Sequence, residues 1–310
     1  DPKRETHNLV SIQRIWQSYF KKDFMVGRLI NFATFNLNLF FRLLTIPAQG
    51  YDIIIGMTSP PLISFFGLLV AKWKRMKFCY WTMDLQPELA IASNLIRASS
   101  WSAKWLSFLG GYIFIRADLI IALDRFMQQH VKNRVGRANG ICTIPVWPVM
   151  GKVYDGKRLN NPFRLEHEFG DRIVIMYSGN HSFVHPLDTL LESARLLRDD
   201  PRFLFVFIGG GVRKKDVTKF KNTNQLHNIT QLPYQPRNQI HLSLGSADMQ
   251  VVILGEGQVG FTHPNKIYGA MFIGKPILYI GPEESHVTDI LAHCQGNIIA
   301  SHGETTEITQ

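Results

Sequence analysis

Cysteines, long apolar runs and the familiar cofactor fingerprints are scarce or missing in this chain. Cys79, Cys142 and Cys294 lie far apart with no CxxC spacing, which argues against a zinc site or a disulfide framework and fits a reducing, cytoplasmic compartment. The longest apolar run, residues 62–71, is well short of the ~20 residues that a membrane-spanning helix needs, and no signal-peptide pattern is visible. The P-loop pattern GxxxxGK[ST] is absent, which sets ATP hydrolysis aside. Hydride transfer is set aside too, because none of the chain's glycine-bearing turns is read as the dinucleotide pattern GxGxxG. His181, His185, His263 and His286 stand near glycine-bearing turns without carboxylates in ligand-like spacing, so neither a metal nor another cofactor is expected.

What is present is a globular composition in 310 residues, 45% hydrophobic with a net charge of +10. That length has room for two domains at ~100–200 residues each. The positive charge implies an anionic partner: nucleic acid, acidic lipid or a phosphorylated metabolite. No RNA-module sequence appears, so nucleic acid is not expected. Near the start, Leu29, Phe32, Phe35, Leu37, Leu39, Phe40 and Leu43 fall at loosely helical spacing, flanked by Lys21, Lys22, Arg28 and Arg42. Two readings stay open there, a helix lying on an anionic membrane surface and a core helix of a large domain.

From Tyr51 onward, short apolar runs alternate with helical patterns. YDIIIG, KFCYWTM and ADLIIAL read as strands separated by helices, which predicts βαβ units and a parallel sheet. Ligands bind such sheets at the carboxyl ends of the strands. Two of these ends carry candidate chemistry, Thr58-Ser59-Pro60-Pro61 and the segment from Asp84 to Glu88. Asp84 and Glu88 can bind a sugar hydroxyl or take its proton; alternatively, Asp84 caps the turn that follows it. Residues 146–170 are rich in Pro, Gly, Asn and charge without apolar period. We therefore expect a first domain over 1–148, a linker over 149–168 and a second α/β domain over 169–310.

The second series of strands, RIVIMYSG, FLFVFIG, NITQLP, MQVVIL and KPILYIG, brings three glycine-bearing turns: Ser178-Gly179-Asn180-His181, Gly209-Gly210-Gly211, and residues 255–266. Glycine lets backbone N–H groups approach a phosphate, and a following helix adds its dipole. At the third turn, His263-Pro264 is expected to open a helix that carries Lys266 in its first turn and stops at Gly274 in the left-handed conformation. A phosphate-bearing ligand is the reading this favours. Arg213, Lys214 and Lys215 fit either phosphate contact or a solvated basic face.

Taken together, MYSGNHSFVHPLDTLLES, the FIGGG turn, LPYQPRNQ, the run from SADMQVVILG to GPEESHV, and the earlier YWTMDLQPELA resemble the family 4 retaining glycosyltransferases, on the branch of colanic-acid, O-antigen and exopolysaccharide synthesis. The resemblance spans roughly residues 25–300. It implies the GT-B fold, two Rossmann-like domains facing each other across a cleft. It also implies transfer of a sugar from a nucleotide-sugar donor to a lipid-linked or glycan acceptor with retained anomeric configuration, at the inner face of the plasma membrane, without a metal. By this resemblance Lys266, His263, Gly179, Asn180 and Gly210 would hold the donor diphosphate, and Pro233 to Arg237 would lie along the base. Ser59, Asp84 and Glu88 would face the acceptor, with Asp84 and Lys266 in catalytic roles. Many members carry two glutamates flanking the third turn. Phe261 and Gly269 replace them here, which leaves Glu283 or Glu284 as ribose partners. The missing glutamates also keep a non-catalytic nucleotide-sugar-binding scaffold in view, and the fold a nucleotide-sugar epimerase. Against the family's length the chain is expected to lack part of each end, and with it full activity.

Overall fold

The computed structural model describes residues 3–20, 25–60, 62–136, 140–148 and 152–309, with the backbone alone at Met25 and Arg28. Lys21, Lys22 and Pro61, as well as the side chain of Arg28, lie outside the described residues. The chain divides into two units, Asp1–Ile144 and Pro145–Gln310.

The first unit opens with an antiparallel ribbon of β1 (Arg4–His7) and β2 (Val10–Gln13), followed by the helix Met25–Thr45. Its sheet contains β3 (Ile53–Met57), β4 (Lys77–Trp81), β5 (Leu119–Ala122) and β6 (Ile141–Thr143) in sequential order, all parallel. Phe78, Cys79, Ile120 and Ala122 are buried within it, as continuous apolar runs in a parallel sheet require. Helices Ile63–Trp73 and Trp101–Arg116 form crossovers. The end of helix Met25–Thr45 is closed by Lys74, whose ammonium donates to the carbonyls of Leu43 at 2.8 Å, Leu44 at 3.1 Å and Ile46. A cation suits the negative end of the helix dipole.

The second unit has six parallel strands: β7 (Ile173–Ser178), β8 (Phe203–Ile208), β9 (Ile229–Leu232), β10 (Met249–Ile253), β11 (Ile277–Ile280) and β12 (Ile298–Ala300). They are ordered β12-β11-β10-β7-β8-β9, the Rossmann order in which the first strand of the unit, β7, lies beside the fourth, β10. Alternation along β7 sends Ile175 and Tyr177 into one buried cluster and Val174 and Met176 into another, so both faces are covered. The chain winds away from β7 in opposite directions, leaving a crevice at the carboxyl ends of β7 and β10.

Part of the segment expected to be a linker belongs to the second unit's packing. Asn161 caps the short helix Pro162–Glu166 by accepting the N–H of Phe163 at 2.9 Å, and Phe163 is buried. Arg164, only 1% exposed, donates to the Ser246 carbonyl at 2.6 Å and to Asp248 at 3.2 Å. Arg158 holds the other side of Asp248. These partners are 84 and 90 residues away in sequence, beyond the reach of a local reading.

Candidate functional site

The crevice of the second unit is built from the turns that follow β7, β8 and β9. Backbone bonds interlock them: the Gly179 N–H donates to Ile208 at 2.9 Å, that of His181 to Gly210 at 2.7 Å, and that of Gly209 to Leu232 at 3.0 Å. The Tyr177 hydroxyl, at the end of β7, donates to the Asn180 carbonyl at 2.7 Å, and the Tyr234 hydroxyl reaches the Gly210 carbonyl at 3.3 Å. Gly179, Asn180, Gly210 and the Pro233 loop are thus brought to one place. Pro233 and Arg237 are exposed on that loop.

Lys266 enters this cluster from the other side of the reversal point, at the first position of the helix Lys266–Ile273 after β10. Its ammonium lies 3.6 Å from the centre of the Tyr177 ring. The approach depends on Gly179, whose φ is +142°: a Cβ there would stand 2.6 Å from Lys266 Cε. The Lys266 Nζ is buried and has no hydrogen-bond partner, and burial pushes its pKa well below the usual lysine value. A cation is attracted by a ring face, but desolvation opposes the charge more strongly here. A buried amine in want of an acceptor, beside glycine turns at the carboxyl ends of β7 and β8, is chemically a seat for an anion.

The helix begins two residues later than the proline suggests. Asn265 is its N-cap and Pro264 precedes it, in a turn closed by the Ile267 N–H to the Pro264 carbonyl at 3.2 Å. Gly274 ends it at φ 69°, as expected. Residues 255–260, GEGQVG, do carry the spacing GxGxxG. They follow the fourth strand of the unit and are separated from the helix by five residues, so they do not form the dinucleotide turn. His263 is buried, with its Nε2 2.7 Å from the Tyr268 hydroxyl and its ring stacked on His286 at 3.8 Å. Glu283 and Glu284 are exposed in the turn after β11 and, among the described residues, form no hydrogen bond with the Lys266 cluster.

The remaining candidates divide between support and surface. His181 and His185 each set Nδ1 against a backbone carbonyl, that of Gly210 at 3.3 Å and that of Ile253 at 2.8 Å. Burial, with the charge of Lys266 adding to it, pushes His185 down to about 3, so this imidazole is neutral at physiological pH. Arg213 is engaged by Asp216 at 2.7 Å and Asp188 at 3.3 Å, which fits the basic-face reading.

In the first unit, the Asp84 N–H donates to Thr58 Oγ1 at 3.3 Å, so the turns after β3 and β4 meet. Asp84 is half-buried there and Ser59 exposed. Glu88 is committed elsewhere, in an ion pair with Arg134, whose guanidinium also donates to the Ser107 carbonyl at 2.6 Å. Sequence reasoning missed Tyr177. The available signal was a tyrosine in a fully apolar strand, since a buried hydroxyl needs a partner at the strand's end.

Two Rossmann-like α/β units in this arrangement of elements define the GT-B glycosyltransferase fold, and comparison with solved structures agrees. Sucrose-phosphate synthase from Thermosynechococcus elongatus superposes with a TM-score of 0.72 at 13% identity, covering 100% of this chain and 75% of that one. HepE from Anabaena, solved with UDP, gives 0.64 at 15% identity over 89% of this chain and 72% of that one. The chain matches no known family model. Among curated proteins it is similar to WbjE of Pseudomonas aeruginosa, named as a glycosyltransferase, with 25% identity over 258 residues. It is also similar to WcaI of Escherichia coli (strain K12), named as a glycosyl transferase of colanic acid biosynthesis, with 22% identity over 262 residues. These alignments take in 82% of this chain and span 64% and 63% of the relatives' own lengths.

Proposed function

We propose that this chain belongs to a glycosyltransferase that moves a sugar from a nucleotide-sugar to a lipid-linked or glycan acceptor in cell-surface polysaccharide synthesis, with retention at the anomeric carbon. One observation carries the reading: the buried, unpartnered Lys266 ammonium against Gly179 at the point where strand order reverses. A diphosphate arriving there supplies the missing acceptor and draws the lysine into its charged form. The ammonium and the start of helix Lys266–Ile273 then offset the negative charge that develops as the nucleoside diphosphate departs, without need of a metal. Asp84 is the acceptor-side group, while Glu88 positions Arg134. The WbjE and WcaI similarities support a place in polysaccharide synthesis, and the HepE complexes with UDP and UDP-glucose support a uridine nucleotide as the first donor to try. Among the described residues no helix is long and apolar enough to cross a membrane. On this reading a lipid-linked acceptor is met at the inner face of the plasma membrane.

The test is thermal unfolding of the full-length protein with UDP-, GDP- and TDP-sugars, each compared with its nucleoside alone. A donor at one hundred times its Kd stabilises a native state by about 2.7 kcal/mol, and the nucleoside should do far less. No stabilisation by any of them, or binding with no release of nucleoside diphosphate when acceptor lipid is added, would defeat the proposal.

A further inference from the structure

The helix Trp101–Arg116 buries Ala103, Leu109, Ile113 and Phe114 against the first unit, yet its outward face is apolar as well. Trp101 is 77% exposed, Trp105 41%, Phe108 70% and Ile115 59%. The spacing of 101, 105, 108, 112 and 115 is that of a single helical stripe. The two tryptophans stack at 6.2 Å and 15°. Tyr112 continues the stripe to Phe65 at 6.1 Å, and Phe65, Phe66, Phe40 and Phe41 follow ring to ring at 5.9, 5.3 and 5.9 Å. A chain of half-buried rings thus runs from the stripe across the two other helices, and Phe41 at its far end is 61% exposed. A soluble surface rarely leaves so large an apolar patch without use.

Charge identifies what covers it. None of the three helices, Met25–Thr45, Ile63–Trp73 and Trp101–Arg116, contains an Asp or Glu, and no acidic residue occurs from Leu89 to Ala117. Basic residues stand on or beside the stripe instead, at Arg97, Lys104 and Arg116. Arg116 lies 5.8 Å from the centre of the Tyr112 ring. Residues 1–144 hold 18 Lys and Arg against 8 Asp and Glu, while residues 145–310 hold 16 of each. The whole net charge belongs to the unit that bears the aromatic face. Tryptophan and tyrosine favour the headgroup level of a bilayer, and neighbouring cations are drawn to an anionic leaflet.

We propose that the face centred on Trp101, Trp105 and Phe108 is a monotopic docking surface that enters the headgroup region of an anionic bilayer. It locates the membrane contact implied by the proposed function on this helix rather than on Met25–Thr45 alone. The assignment rests on that reading for its biological sense, but not for its test.

The test is flotation of the full chain with vesicles of phosphatidylcholine alone or with a third of phosphatidylglycerol, read beside tryptophan quenching by brominated lipid. Wild-type protein should float with the anionic vesicles, quench, and release as salt is raised. Trp101→Ser with Phe108→Ser should lower the partition coefficient at least about tenfold, since each takes a large apolar group out of the bilayer contact. Lys104→Glu with Arg116→Glu should weaken binding to the anionic vesicles selectively. Leu196→Ser, at an exposed apolar residue of the second unit, should change nothing. Stabilisation by UDP, read separately, reports that each variant is folded and whether donor binding holds on its own. Unaltered flotation of the stripe variants overturns the proposal. So does conversion of a wild-type dimer to monomer by the same substitutions, or a wild-type protein that floats with neither vesicle.

Discussion

At the scale of the residue, Lys266 is held in a position that weakens the folded protein, a cost to which the proposed donor site would give a use. Its amine is buried without an acceptor, and an unpaired buried polar group costs roughly 1–3 kcal/mol. Methionine has nearly the same shape without that penalty. Lys266→Met is therefore expected to melt at the wild-type temperature or above it, to show no thermal shift with nucleoside diphosphate, and to lose about 10²–10³ in transfer rate. Scanning calorimetry with and without UDP checks the first two. A variant that melts lower but still responds to UDP would assign the lysine to structure alone. The lysine itself was legible in the sequence, because a basic residue at a helix start after a glycine turn has a stated use. Its setting was not. Tyr177 reads as one more apolar residue of a buried strand, and only the fold turns its ring beneath the amine. Glu88 shows the same limit: its place at a strand end is legible, but its ion pair with Arg134, 46 residues away, is not.

At the scale of the element, the strands and their order of appearance were readable because each parallel strand is a short, largely apolar run and the runs alternate with helical patterns. What could not be read is how distant elements fasten together. The segment around Pro162–Glu166 has the composition of a linker and is instead pinned to the start of β10 through Asp248. Burial raises the Asp248 pKa, but hydrogen bonds from Arg158 and the Val174 N–H and the charge of Arg164 outweigh it, holding the carboxyl below its ordinary value. A depressed carboxyl contributes stability that is present above its unfolded pKa and lost as pH falls through the folded one. That contribution is then complete above about pH 4 and fades below it. Asp248→Asn leaves the 1%-exposed Arg164 without its counter-charge and should destabilise by about 3–5 kcal/mol. The variant should also lose part of the acid-limb slope of stability below about pH 4. Urea unfolding across that range decides it; an unchanged slope would show that Asp248 does not link stability to pH.

At the scale of the whole molecule, the two units differ in kind. One is electrically neutral in sum and carries the glycine turns; the other holds the entire net charge and the aromatic face. The basic balance of the sequence points to an anionic partner, but composition alone could not say that the charge and the candidate phosphate seat belong to different units. It takes the fold to separate an attraction to a surface from an attraction to a small anion.

The lysine without an acceptor would also make binding of a diphosphate at the proposed donor site a proton-linked event. Its free-state pKa is depressed, and a bound diphosphate would raise it, so in the interval between the two values association draws one proton from solution. Apparent affinity for the nucleotide should then fall about tenfold for each unit of rising pH within that interval and level off below it. Titration calorimetry in buffers of differing ionisation enthalpy measures that proton directly. In Lys266→Met any residual nucleotide binding should proceed with no such uptake.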